Sequence, residues 1–349
     1  MRKHFLFLAV FLFSANFLLG QVPDDYYAGT ENLRGKALKH ALYEIIKGHK
    51  EYPYSSSSTD VWDILKETDK DTANSNNVIL FYTGWSVNAA QEYNNGKGWN
   101  REHVWAKSRG DFGTSPGPGT DVNNIRPADI SVNSARNNRS FDNCSVPYLD
   151  NGVATGCYTS TDKWAWQPRK EVQGDAARII FYMATRYEGE NGEPDLKVVD
   201  YLPAKGDKSP VHGKLSTLLI WNKRDTVDSF ERHRNDVVYS YQHNRNPFID
   251  HPEFVNRIWG SDSIVSGIVN PQAQLISIYP NPASGILHFN HAENMTKVLF
   301  THEGSMLRQS TSSSMDLHDL SSGMYMVVFK DREGRIVRRM KVVKVVVKE

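Results

Sequence analysis

Glu102 and His103 are neighbours in the run Asn100-Arg101-Glu102-His103-Val104-Trp105, and together they offer what phosphodiester hydrolysis at neutral pH requires. A carboxylate can hold a hard divalent cation against a phosphate, and a neutral imidazole can take a proton from water. Histidine suits the second role because its pKa lies near working pH. A Glu-His pair by itself is ordinary and specifies little. If a strand becomes irregular at this point, both side chains can line one cleft.

The segment 119–138 makes the pair informative. Asn124-Ile125-Arg126-Pro127 can form a second short strand, and Asp129 or Ser131 can cap a helix that begins there. On that helix Asn133 and Arg136 stand at i and i+3 and share a face. Two strands and a helix would then gather Glu102, His103 and Asn133 around one ion. One carboxylate and one amide oxygen, completed by water and phosphate, make a typical hard-cation site, with Mg2+ as the expected ion and Mn2+ or Ca2+ as substitutes. Arg136 is the first choice for the scissile phosphate or the leaving group, because a guanidinium matches phosphate geometry. No His-Glu-x-x-His run occurs, which removes that class of metalloprotease from consideration.

Around this segment the hydrophobic spacing is mixed and predicts an α+β fold. Leu33, Ala37, Leu38, Leu42, Ile45 and Ile46 predict an amphipathic helix over residues 31–49, with Thr30 as a possible cap. A second short helix is expected over 60–66, a strand over 77–83, and core helices over 176–186 and 215–224. Residues 244–253 hold Arg245, Asp250 and His251, but Pro247 and Pro252 around Phe248 and Ile249 suit a buried closing segment better than a second site. Beyond residue 262 the chain changes character. A small, polar linker (263–273) leads into short alternating segments separated by turn residues, the pattern of a small β-sandwich. The basic tail, with Arg338, Arg339, Lys341, Lys344 and Lys348, reads as a final strand burying Val343, Val345 and Val347 rather than as a nucleic-acid-binding arm.

The chain has 349 residues, 39% of them hydrophobic, which is too long for one average domain and predicts two folded parts. Residues 1–20 read as a secretory signal peptide, because Arg2 and Lys3 precede an apolar run shorter than the roughly 20 residues needed to span a bilayer. Export into an oxidising compartment predicts a disulfide between Cys144 and Cys157, the two cysteines of the chain. Net charge is +1, so a nucleic-acid ligand would have to be met by locally concentrated positive charge.

Three runs in one order, residues 100–105, 121–138 and 244–253, resemble the bacterial endonuclease I family, and the similarity extends over about residues 24–259. The resemblance implies a ββα-metal finger embedded in a mainly helical nuclease domain (21–262). It implies His103 as general base, Glu102 and Asn133 as metal ligands, and an arginine near the phosphate, Arg136 first and Arg126 second, with Arg101 also on nucleic acid. It implies cleavage of DNA, and of RNA as well, with little sequence preference. Residues 274–349 resemble the sorting domain of proteins exported by the type IX system of Bacteroidetes, on Ile278-Tyr279-Pro280-Asn281-Pro282, Ser322-Gly323-Met324-Tyr325 and the basic end. That implies contact with the secretion machinery, a secreted or outer-surface protein, and no stable membrane insertion. Asn123 and the sorting tail leave open an alternative, a weakened nuclease fold that binds nucleic acid or acts in adhesion at the surface.

Overall fold

The computed structural model describes residues 22–260, 276–301, 305–332, 334 and 336–345. The expected signal peptide (1–20) and the expected linker (263–273) lie outside them. The chain divides into two compact units, one ending at Ile258 and the other beginning at Trp259.

In the first unit α1 (Gly35–Ile46) buries Leu38, Leu42, Tyr43 and Ile46. It begins later than its spacing predicts, because the Thr30 hydroxyl is spent on the carbonyl of Tyr27 at 2.7 Å and Arg34 enters the helix without a side-chain cap. α2 (Val61–Thr68) starts at a capping box, with Asp60 and Asp63 each accepting from the other's end of the first turn. The predicted 77–83 strand is real only as β1 (Asn77–Ile79), paired antiparallel with β2 (Ser86–Asn88). Between them the chain turns back, with the Gly84 amide on the Leu80 carbonyl, and Leu80, Phe81 and Tyr82 are buried by packing instead of by strand pairing.

β3 (Trp99–His103) and β4 (Ile125–Asp129) form an antiparallel pair, with Glu102 opposite Arg126 and His103 opposite Ile125. α3 (Ile130–Arg136) follows directly, capped by the Asp129 carboxylate on the amides of Ser131 and Val132. Next comes a four-stranded sheet that the hydrophobic spacing did not foretell, made of β5 (Ser140–Phe141), β6 (Val146–Asp150), β7 (Val153–Thr159) and β8 (Ala165–Gln167) in the order β5-β8-β7-β6.

The expected Cys144–Cys157 bridge is not formed; both cysteines are free. The register explains why. Val146 faces Thr159 and Pro147 faces Tyr158, so Cys157 lies alongside the middle of β6 while Cys144 precedes the strand. Their thiols donate elsewhere, Cys157 to the Tyr82 carbonyl at 3.2 Å and Cys144 to the Asp142 carbonyl at 3.4 Å.

α4 (Gln173–Arg186) is buried along its whole length. It packs against α5 (Leu215–Arg224), α7 (Pro247–Asp250) and β9 (Lys197–Val198), the last paired in parallel with β10 (Val211–His212); α6 (Ser229–Gln242) and α8 (Glu253–Trp259) are the remaining helices of this part of the chain. Charges buried here are paired, as they must be. Asp69 accepts from Arg126 Nε at 2.7 Å and from Arg234 Nε at 3.2 Å, and Arg178 forks onto Glu231. Arg234 also donates to the carbonyls of Val122 and Ile125, which ties α6 to the base of β4. The segment from Asn244 is structural, as expected: Asn244, Arg245 and Asn246 are buried, and Arg245 pairs with Asp250 and Asp236. Among the described residues no helix is long and apolar enough to cross a membrane.

The second unit is all-β. One antiparallel sheet holds β11 (Ser277–Tyr279), β12 (Ile286–Asn290) and β15 (Ser314–Asp316). The other has β13 (Thr296–Thr301) and β16 (Gly323–Lys330) at its centre, flanked by β14 (Met306–Ser310) and β17 (Ile336–Lys344). Leu287, Phe289, Leu299, Val327, Phe329 and Val342 form a core shared by the two sheets. The basic tail is a strand, as its alternation predicts, but the buried face is the other one. Val342 and Lys344 are buried while Val345 is exposed, and the Lys344 ammonium is satisfied by the carbonyls of Ser284 and Val345.

Candidate active site

The β3–β4–α3 unit opens onto a cleft of about 350 Å3 lined by Tyr54, Asn100, Arg101, Glu102, His103, Lys107, Asn133 and Asn137, among others. Trp99 anchors one end of β3: it is fully buried, packs edge-on to Trp62 at 4.8 Å and donates to the Ala89 carbonyl. Beyond the other end, Asn124 holds the hairpin base, its side chain accepting from the Trp105 amide at 2.7 Å and donating to the Trp105 carbonyl. Strand pairing stops at His103, and there consecutive side chains need no longer point to opposite faces. Glu102 and His103 both reach the cleft.

Glu102 is buried, and two donors meet on one of its oxygens. The Tyr82 hydroxyl reaches Oε1 at 2.6 Å and Arg136 Nη1 reaches the same atom at 2.9 Å. Oε2 takes neither donor and is not among the buried unpartnered atoms; it is the oxygen offered to the cleft. Burial pushes the Glu102 carboxyl up, against the opposing Arg136 charge and Tyr82 bond.

His103 donates from Nε2 to the Gly119 carbonyl at 2.9 Å. A carbonyl can only accept, so the proton sits on Nε2 and Nδ1 carries the lone pair. Burial pulls the imidazole down to about 4, helped by the positive charges of Lys107, Arg101 and Arg136, so it is neutral at pH 7. The ring stacks on Tyr54 at 5.8 Å. Gly119 has no room for a side chain: a Cβ would stand 2.7 Å from the Ser115 carbonyl and 2.8 Å from that of Gly113. The adjoining loop is fixed by Asp121, whose Oδ2 accepts from Tyr182 at 2.8 Å and Tyr187 at 2.9 Å while Oδ1 accepts from Gln242 at 3.0 Å. Asn133 donates from Nδ2 to Asn100 Oδ1 at 2.7 Å, which leaves its own Oδ1 as the free acceptor.

The arginines sort differently from expectation. Arg136 is fully buried, and its guanidinium is occupied by Glu102 and by the carbonyls of His103 and Val104. It braces Glu102 from behind and is not among the residues that line the cleft. Arg126, the second choice, is also withdrawn: it is buried against Phe81 and paired with Asp69 and Asp175. Arg101 does line the cleft, lying over the rings of Tyr54 at 3.3 Å and Trp62 at 4.1 Å, and the exposed Lys107 lines it too. Asn123 is buried elsewhere, beside Asn244 at 3.4 Å in the Asp121 network.

Among the described residues no three His, Cys, Asp or Glu side chains converge as a metal cluster. The donors on offer are instead one carboxylate oxygen and one amide oxygen on the same cleft, both hard, with the remaining directions open to water. That set fits a divalent cation of the Mg2+ type and does not fit a thiolate-loving metal. Asn100 and Gly119 fall inside the two runs that the sequence singles out but carry no role there, and Tyr82 is not singled out for the site at all. Tyr82 lies in a run that looks like strand interior, and a backbone carbonyl leaves no trace in residue type.

A family model described as Endonuclease I matches residues 34–253, and one described as Secretion system C-terminal sorting domain matches residues 277–344. An extracellular ribonuclease of Bacillus subtilis (strain 168) is 53% identical over 237 residues, covering 68% of this chain and 78% of the relative. An extracellular ribonuclease of Bacillus amyloliquefaciens is 52% identical over the same length and the same shares.

Proposed function

We propose, on the premise that the chain belongs to the endonuclease I family and is an exported or cell-surface phosphodiester hydrolase, that it cleaves RNA and DNA with little sequence preference in a metal-dependent reaction. The observation that carries this is the meeting on one cleft of a free carboxylate oxygen, a free amide oxygen and the unprotonated nitrogen of a neutral imidazole. In this reading β3, β4 and α3 form a ββα-metal finger. Glu102 Oε2 and Asn133 Oδ1 hold the cation, which when bound supplies positive charge for the phosphate and the departing oxygen.

His103 Nδ1 takes the proton of the attacking water, and the Gly119 carbonyl keeps the other ring nitrogen protonated and the ring aimed. Arg136 and Tyr82 fix the carboxylate. Arg101 and Lys107 meet the phosphate backbone, which carries no sequence information, and so the cut is indifferent to base identity. The printed activity of both relatives supports RNA as a substrate. Asn123, which motivated a binding-only reading, is buried away from the cleft lining, and this favours cleavage.

The test is plasmid nicking and RNA degradation with Mg2+, with and without chelator, by the wild type and by His103→Ala. Chelator should abolish cleavage, and His103→Ala should lose on the order of 10²–10⁴ in rate. Full activity of His103→Ala would remove the base from this assignment.

A further inference from the structure

The two hydrogen bonds on Glu102 converge on a single oxygen, and a carboxylate held in that way cannot turn to offer both oxygens outward without breaking both bonds. Tyr82 supplies the shorter of them. Its ring is fully buried, with Trp166 edge-on at 5.9 Å, and its own carbonyl is held by the Cys157 thiol. The preceding Phe81 amide is tied to the Pro127 carbonyl on β4 at 2.8 Å, so the hydroxyl is fixed with respect to the finger. Tyr82 does not line the cleft and cannot touch substrate. Burial and the Glu102 charge keep its phenol protonated, hence a donor.

We propose that Tyr82 is a positioning residue for metal binding: by occupying Oε1 of Glu102 together with Arg136, it presents Oε2 as the single carboxylate oxygen available to the divalent cation. The proposal rests on Glu102 being a metal ligand. Partners that orient a ligating side chain typically govern metal affinity as strongly as they govern rate.

The test measures Mn2+ binding to the full chain directly, by the paramagnetic signal of unbound Mn2+, alongside the Mn2+ concentration giving half-maximal cleavage. Tyr82→Phe should weaken binding by roughly tenfold or more and raise the half-maximal concentration in parallel. Trp166→Phe disturbs the same packing without touching Glu102, and should lower the melting temperature while leaving Mn2+ affinity in place. Wild-type affinity in Tyr82→Phe, or equal weakening in Trp166→Phe, would overturn the role. A wild type that binds no Mn2+ would overturn the reading of the site itself. Should Tyr82→Phe fail to fold, a wild-type crystal soaked in Mn2+ decides the matter: coordination through Oε2 alone supports the proposal, and two-oxygen coordination by Glu102 refutes it.

Discussion

A free histidine would be half protonated near pH 6.5, yet His103 is neutral down to about 4 because burial disfavours its charge and three cations stand nearby. A base works only when unprotonated. The acid limb of kcat/KM, measured at saturating metal, should therefore lie well below pH 6.5, with most activity retained at about pH 5.5. A limb centred at 6.5 would mean that the essential base is not this imidazole. The Glu102 carboxyl is shifted the other way, so protons compete with the cation earlier, and more metal should be needed as pH falls. That Glu102, His103 and Asn133 share one cleft was legible in the sequence because residue type and spacing both mark them; their roles belong to the proposed reading. Arg136 was misread for a physical reason. Its place one turn beyond Asn133 is visible, but the sequence does not show that its long side chain runs under the hairpin to backbone carbonyls.

At the scale of elements, boundaries were legible where the local signal and the packing agree. α5 runs from Leu215 to Arg224, as its hydrophobic spacing predicts, and Asp129 caps α3 as its position suggests. They failed where tertiary contacts decide: α1 is shortened because Thr30 is used elsewhere, and the apolar run after β1 turns inward. The four-stranded sheet was missed because β6 is largely exposed, with a proline inside it, and gives little alternation to read. What joins these elements is Asp69, which lies just past the end of α2 and holds arginines from β4 and α6. Asp69→Ala leaves two buried guanidinia without their shared anion and should cost about 3–5 kcal/mol in urea unfolding. A loss within experimental error would show that those arginines find other acceptors.

For the molecule as a whole, two units with separate cores predict that function divides along the chain. Every residue assigned to the site lies in the first unit, and the core of the second is made from its own residues. A chain ending at Trp259 should cleave with unchanged kcat/KM, whereas its export from the native host should fail; lost cleavage in a folded truncated chain would show that the sorting unit contributes to catalysis. The two-part organisation was legible from the shift in composition past residue 262. The Asp121 loop depends on residues far along the chain. Gln242 braces that loop, donating to Asp121 and accepting from the Val122 amide, and Arg234 grips the strand beside it. The reactive residues are thus synthesised early, but the last brace that aims His103 arrives more than a hundred positions later. A nascent chain that has not yet reached Gln242 therefore lacks the side chain that holds the loop next to Gly119, the partner of His103.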